Sequence, residues 1–225
     1  VGRTAREMSG WRVPLAILPL GTANNTARAL GVSMQLKKAV KGWHSARPVP
    51  FDLGLIDDGA ERVRFAECVG WGVFAQTIVE ARSLREARSV KKTLKRDREL
   101  FRAVLAKSQP RHYRIDVDGR DCSGDYVMVE ILNIPFIGPQ LLLSPESDPS
   151  DAQLELVLVA PGERAALAQG VRTGEPVAYR IERGRQIRVE TDDAMLHRDS
   201  RVVWHPRGTR RFEIRVEAGA VHYAC

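Results

Sequence analysis

Between residues 51 and 216 the chain is a succession of short apolar runs cut apart by turn signals. A helical bundle cannot bury that pattern, and a two-layer β-sandwich can. Runs at 51–56 and 62–69 flank Asp57-Asp58-Gly59, whose Asp-Gly pair tolerates the positive φ of a tight reversal. Runs at 112–117 and 125–132 flank Asp118-Gly119-Arg120-Asp121, and further runs at 154–159, 177–181, 186–190, 194–198, 202–204 and 212–216 close the array. Two interruptions read as helix. Residues 76–107 carry Ile78, Leu84, Ala87, Val90, Leu94, Leu100, Val104 and Leu105 at amphipathic helical spacing, and 162–171 predicts a shorter helix.

Upstream, an apolar run beginning at Leu15 meets Pro19 and Gly21, then Thr22, Asn24 and Asn25, then a segment that ends at Gly31. This reads as strand, tight turn and helix. Such a junction can bind an anion, because the first N–H groups of a helix lack intrahelical partners and face the positive end of its dipole. Gly21 would let a phosphate approach the main chain, and Thr22, Asn24 and Asn25 add short hydrogen-bonding side chains. The same spacing also describes an ordinary strand-to-helix junction with a capping Asn. Residues 34–43 follow at helical spacing, and Pro48 and Pro50 then mark a boundary, since each removes a donor and biases its predecessor to extended geometry.

The residues Ile17-Leu18-Pro19-Leu20-Gly21-Thr22-Ala23-Asn24-Asn25, followed by Ala27-Arg28-Ala29-Leu30-Gly31, resemble the "LPLGTxND…AR.LG" block of the diacylglycerol kinase catalytic family. That family includes bacterial lipid kinases, sphingosine kinases and ceramide kinases. In it a "GGDGT" loop that holds the ATP phosphates precedes this block. None stands before Leu15, and the chain opens on Val1-Gly2-Arg3, so the resemblance implies a fragment lacking most of the nucleotide-binding half. The implied fold is α+β: the tail of an α/β nucleotide-binding domain over 1–47, then a two-layer β-sandwich with a helical segment over 48–225, whose last strand can return to the first domain. The implied activity is transfer of a phosphoryl group from ATP, with Mg2+, to the hydroxyl of a diacylglycerol-like lipid, a reaction that rests on positioning and electrostatics. A non-catalytic lipid-binding or regulatory module of the same fold, and a kinase of a soluble substrate, are the alternatives.

On the matching positions, the resemblance makes Gly21, Thr22 and Asn24 nucleotide-binding residues. Asn25 stands where the family has an aspartate in a carboxylate and water network near the nucleotide and its magnesium. An amide keeps the hydrogen bonds and gives up the charge that a hard cation favours. From Asn133 to Leu156 the chain resembles the block "N….G……P.A…DG.L.v". Asp151 there falls on the aspartate whose carboxylate, with main-chain carbonyls, holds a structural magnesium, while Ala152 replaces the glycine. The alternative is that Asp148 and Asp151 cap a turn before the next strand. The family's "DGE" motif, whose glutamate takes the lipid hydroxyl proton, falls on Asp199-Ser200-Arg201. Arginine cannot be a base at neutral pH, which leaves Asp199 as the catalytic carboxylate, with Asp192 or Asp193 in its place if the strand register slips. Asp52, opening a strand at the domain junction, is expected to act in folding or domain docking.

A formal charge of +7 suits an acidic partner. The basic clusters lack interleaved aromatics and no zinc-finger spacing appears, so no nucleic acid is expected. Arg82, Arg85, Arg88, Lys91, Lys92, Lys95, Arg96 and Arg98 crowd one stretch, either as a solvated helix face or as a contact with anionic lipid headgroups beside a lipid substrate at a membrane surface. No apolar run reaches membrane-span length. Cys68, Cys122 and Cys225 have no metal-ligand spacing and are odd in number, which suits a reducing cytoplasm. A cytoplasmic protein in peripheral contact with the inner membrane is the expected setting, and a homodimer is compatible with it.

Overall fold

A computed structural model describes residues 1–84, 89–175, 177 and 179–225. Three short helices lead the chain: α1 (Gly2–Glu7), α2 (Asn25–Ala29) and α3 (Leu36–Gly42). Strands β1 (Pro48–Asp57), β2 (Arg62–Phe65) and β3 (Cys68–Gly72) follow, then helices α4 (Val73–Ser83) and α5 (Val90–Lys107). After them come β4 (Arg111–Val117), β5 (Arg120–Asp121), β6 (Gly124–Tyr126), β7 (Met128–Leu132), β8 (Phe136–Ile137), β9 (Leu141–Leu142) and β10 (Leu154–Val159). Helix α6 (Arg164–Thr173) precedes the closing strands β11 (Arg180–Gly184), β12 (Gln186–Thr191), β13 (Met195–Arg198), β14 (Arg201–Trp204) and β15 (Arg210–Ala224).

The strands form the expected two layers. One sheet runs β2-β1-β15-β12-β4-β5 with β6 also on β4, and the other runs β11-β10-β7-β3-β13-β14. Between them lie Trp71, Ile115, Ile131, Leu156, Ile187 and Phe212, with Trp71 meeting Phe212 edge-on at 5.0 Å between ring centroids. The second sheet is covered on its other face by α4, α5 and α6 through Phe74, Phe101, Leu105 and Leu167. Strand β10 is therefore buried throughout: Leu154, Leu156 and Leu158 face the sandwich, Val157 and Val159 face the helices, and its one charged residue, Glu155, pairs with Arg183. The N-terminal segment docks on β1 and β15 through Ala5, Ile17, Ala27, Phe51, Val221 and Tyr223.

Several elements differ from the sequence pattern for identifiable reasons. The run at 62–69 is two strands, because the chain leaves the first sheet after Phe65 and enters the second at Cys68, and the N–H groups of Ala66 and Glu67 turn to a side chain, that of Asp199. The strand expected from Leu15 is a single bridge to Tyr223, bracketed by Pro14 and Pro19, which offer no N–H to a ladder. The helix expected after Gly21 is only five residues long. Pro48 and Pro50 lie inside β1, in a stretch paired with β15 alone, where an absent donor is tolerated. The final strand extends to Ala224 and pairs with β1 along its length, and the strand expected at 177–181 begins instead at Arg180. Arg85, Glu86, Ala87, Arg88, Pro176 and Ala178 lie outside the described residues.

Candidate active site

A cleft of ≈ 350 Å³ opens where the N-terminal segment, the β2–β3 crossing, the start of α4 and the β13–β14 turn meet. Its fixed point is Asp199. Arg198 pairs with Arg201, so Asp199 and Ser200 form a two-residue hairpin turn, and Asp199 takes a positive φ of 50° that aspartate tolerates well. Its Oδ1 accepts the N–H groups of Glu67 (2.8 Å), Ala66 (3.1 Å) and Cys68 (3.3 Å), its own N–H donates to Cys68 O (2.8 Å), and the Arg6 guanidinium pairs with Oδ2. One carboxylate thus joins the crossing between the sheets, the hairpin and α1.

Beneath that turn lies a fully buried pair of a histidine and a carboxyl group. His197 Nε2 is 2.7 Å from Glu130 Oε2, and His197 Nδ1 is 3.2 Å from the Asp199 carbonyl; since a carbonyl only accepts, Nδ1 carries a proton. Glu130, Gly70 and His197 face one another across adjacent strands, and the missing side chain of Gly70 lets the outer two meet. A Cβ at Gly70 would stand 2.5 Å from Glu130 Oε2 and 2.4 Å from the Val129 carbonyl. Burial pushes the Glu130 carboxyl up, against the pull of His197. The fold also brings Cys68 Sγ within 4.8 Å of both, a grouping that no spacing announces, and burial keeps this thiol protonated.

The wall of the cleft holds a carboxylate that no motif singled out, Glu67. Its backbone is held by Asp199 on one side and by the Asn133 N–H, which donates to Glu67 O at 2.9 Å, on the other. Its Oε1 accepts from Thr26 Oγ1 at 2.7 Å. Loss of hydration raises its pKa and the charge of Asp199 adds to this, while Thr26 and Asn25 oppose it by hydrogen bonding. The sequence offered no signal for it, because 62–69 reads as one continuous run and its break at Ala66-Glu67 appears only in the structure.

The residues expected to bind nucleotide divide. Gly21, Asn24 and Asn25 line the cleft, whereas Thr22 is exposed and outside its lining. Asn24, at φ 54°, accepts the Gly21 N–H at 2.9 Å and donates to Gly21 O (2.8 Å) and Pro19 O (3.2 Å). Its side chain closes the turn, and the Gly21 N–H is already taken. A Cβ at Gly21 would stand 2.9 Å from Asn24 Oδ1, so the glycine serves this clamp. Asn25 is buried; its amide donates to Gly138 O at 3.1 Å and its Oδ1 has no partner. Asp192 and Asp193 precede β13, at the far end from Asp199: Asp193 accepts from Tyr113 Oη and Asp192 pairs with Arg111, so neither replaces a base in the cleft. Arg201 is exposed and outside the lining.

Asp151 does not fit the structural magnesium expected of it. Arg183 Nη2 stands 3.0 Å from Asp151 Oδ2, 3.0 Å from Glu155 Oε1 and 3.3 Å from the Glu146 carbonyl, so a guanidinium nitrogen occupies the centre of this oxygen cluster. Asp151 Oδ1 accepts the Gln153 N–H. Asp52 is equally engaged, accepting from Gly219 and Ala152 N–H at 2.7 Å each and pinning a bulge between β1 and β15, which is a folding role. The melting temperature should therefore be the same in EDTA as in millimolar Mg2+. Arg183→Met leaves the buried Glu155 unpaired; because Arg183 is 39% exposed the cost is held to about 2–3 kcal/mol, or roughly 4–12 °C. A metal-dependent melting temperature that Asp151→Asn abolishes would restore the magnesium.

Of the basic stretch, Arg82 donates to Ser200 O, Arg96 to Asp97 and to Leu84 O, and Arg98 to Pro139 O and Gln140 O. Arg82 thus ties α4 to the cleft rim at Ser200, Arg98 ties α5 to the loop that follows Gly138, and Arg96 joins α5 to the end of α4. No helix among the described residues is long and apolar enough to cross a membrane.

Comparison with known proteins agrees with this architecture. The diacylglycerol kinase catalytic domain family matches residues 2–56, and the YegS C-terminal NAD kinase beta sandwich-like domain matches residues 70–205, more than half of the chain. Diacylglycerol kinases of two Mycobacterium tuberculosis strains, CDC 1551 / Oshkosh and ATCC 25618 / H37Rv, are 27% identical over 177 residues, covering 74% of this chain and 54% of their own length. The chain thus spans about half the length of the curated relatives it matches. A crystal structure of a diacylglycerol kinase from Bacillus anthracis str. Sterne superposes with a TM-score of 0.72 at 18% identity, over 95% of this chain and 69% of that one, which is a likeness of fold. On the match over 70–205 the chain belongs to the YegS C-terminal NAD kinase beta sandwich-like family, and the match over 2–56 with the curated relatives joins it to the diacylglycerol kinase catalytic-domain family.

Proposed function

We propose that this chain forms the acceptor side of an ATP-dependent lipid kinase that phosphorylates the hydroxyl of a diacylglycerol-like lipid. The observation that supports this reading is the cleft, where Asn25 and the Gly21–Asn24 turn face Glu67 and the Asp199 turn of the sandwich. Phosphoryl transfer needs reactants held in line and charge stabilised more than it needs covalent chemistry, and these groups are fixed by main-chain hydrogen bonds. ATP would bring the transferred group and its own Mg2+, which keeps to phosphate oxygens and water. The lipid would reach the cleft from a membrane surface. Val79, Leu84 and Val90 are exposed at the α4–α5 end, with Lys91 and Lys92 beside them, a mixture that suits an anionic bilayer; each basic residue near such a surface adds about 1 kcal/mol.

The test is phosphorylation, from labelled ATP, of diacylglycerol in anionic vesicles, of diacylglycerol in neutral vesicles and of a soluble polyol, using the protein that carries this chain. The expected order is anionic above neutral vesicles, with no labelled polyol. Labelling of the polyol alone would make this a kinase of a soluble substrate.

A further inference from the structure

Position 25, where the matched motif would supply a carboxylate, is an amide here, and a different carboxylate, Glu67, lies beside that amide in the same cleft. We propose that Glu67 is the proton acceptor of this site: it takes the hydroxyl proton of the acceptor as that oxygen bonds to the transferred phosphorus, while the bond from phosphorus to the nucleotide's bridging oxygen breaks and its electron pair leaves with the nucleotide. This inference rests on the phosphoryl-transfer reading.

Four observations support it. The Glu67 main chain is immobilised, its N–H on Asp199 and its carbonyl on the Asn133 N–H, so the side chain starts from a fixed point in the cleft wall. Thr26 Oγ1 orients the carboxylate through Oε1. The competing carboxylate, Asp199, is already the acceptor for three main-chain N–H groups and the partner of a guanidinium, an arrangement that organises the site and leaves little lone-pair capacity for a substrate proton. Asn25 Oδ1, 4% exposed at the residue level and unpartnered, adds an acceptor for a hydroxyl or water at the same spot.

The electrostatic surroundings agree with this role. Burial first and then the charge of Asp199 push the Glu67 carboxyl up, while Cys68 and Tyr223 also sense its charge and Arg6 engages Asp199. The net shift is upward, towards the range in which a base works best. A carboxyl raised in the folded state contributes stability that is full below its ordinary pKa and is lost as the pH rises through its folded value.

Glu67→Gln keeps an acceptor for Thr26 and removes the base. In the lipid-phosphorylating protein it should lower kcat by roughly a hundredfold to ten-thousandfold, with KM for ATP changed by less than about threefold. It should also remove the acidic limb of the pH–rate profile. On this chain alone, Glu67→Gln should melt with wild type near about pH 4 and above it near about pH 8. An active wild type with Glu67→Gln at full rate would overturn this inference alone, as would melting curves that coincide at both pH values. A wild type that phosphorylates no hydroxyl would overturn the functional reading and this inference with it.

Discussion

Replacing Asp199 by alanine is expected to lower the melting temperature by roughly 6–20 °C, the consequence of losing about 3–5 kcal/mol. The carboxylate is 14% exposed and is the acceptor for the N–H groups of Ala66, Glu67 and Cys68, where the chain passes from one sheet to the other and no ladder partner is available. Each donor left buried without a partner costs about 1–3 kcal/mol, and the Arg6 guanidinium loses its counter-charge as well. Alanine also fits a φ of 50° less well than aspartate. Asp199→Asn, which keeps an oxygen and tolerates the turn, should lose less than half as much. Thermal unfolding of the three proteins decides the matter: an alanine variant within a degree or two of wild type would mean that the crossing is held by something other than this carboxylate.

The second large effect is expected at the pair beneath the turn. His197→Ala leaves Glu130 in a dry interior with no partner, a loss of about 3–5 kcal/mol at neutral pH. The pH dependence has a definite sign. Burial raises the folded pKa of Glu130, so its contribution to stability is full below the ordinary glutamate value and is lost as the pH rises through the folded one. Removing His197 removes the interaction that opposes this rise, so above the pH-independent cost of deleting a buried ring packed on Phe74 the deficit of the variant should grow from about pH 5 towards about pH 8. Gly70→Ala should show the same signature, because its Cβ would drive Glu130 away from His197. The double variant Glu130→Gln with His197→Ala should regain much of the loss, having no charge left to bury. A deficit for His197→Ala that is equal at both pH values would exclude an ionised Glu130 as its source.

The sequence by itself determined the layering. Period-two apolar runs separated by turn residues can bury their faces only in stacked sheets, and the Asp57-Asp58-Gly59 reversal joins β1 to β2 as its residues require. The Gly21 to Asn25 stretch was likewise recognisable, since its conformational demands are local: a glycine where a Cβ would strike Asn24, and an asparagine at positive φ. The site was not local. Asp199 meets Glu67 across more than a hundred residues, Glu130 meets His197 over a glycine on the strand between them, and Arg183 lies opposite Glu155 and within reach of Asp151 only because β11 pairs with β10 in that register. Hydrophobic periodicity states which face of a strand is buried and is silent on which strand lies beside it, so the partners of every charged group in the cleft were decided by strand order. For the same reason Glu67 passes in the sequence as part of one continuous strand at 62–69, and its interruption of that strand shows only in the structure. In the folded chain that interruption is the crossing between two sheets, and the main-chain donors it frees are what Asp199 holds.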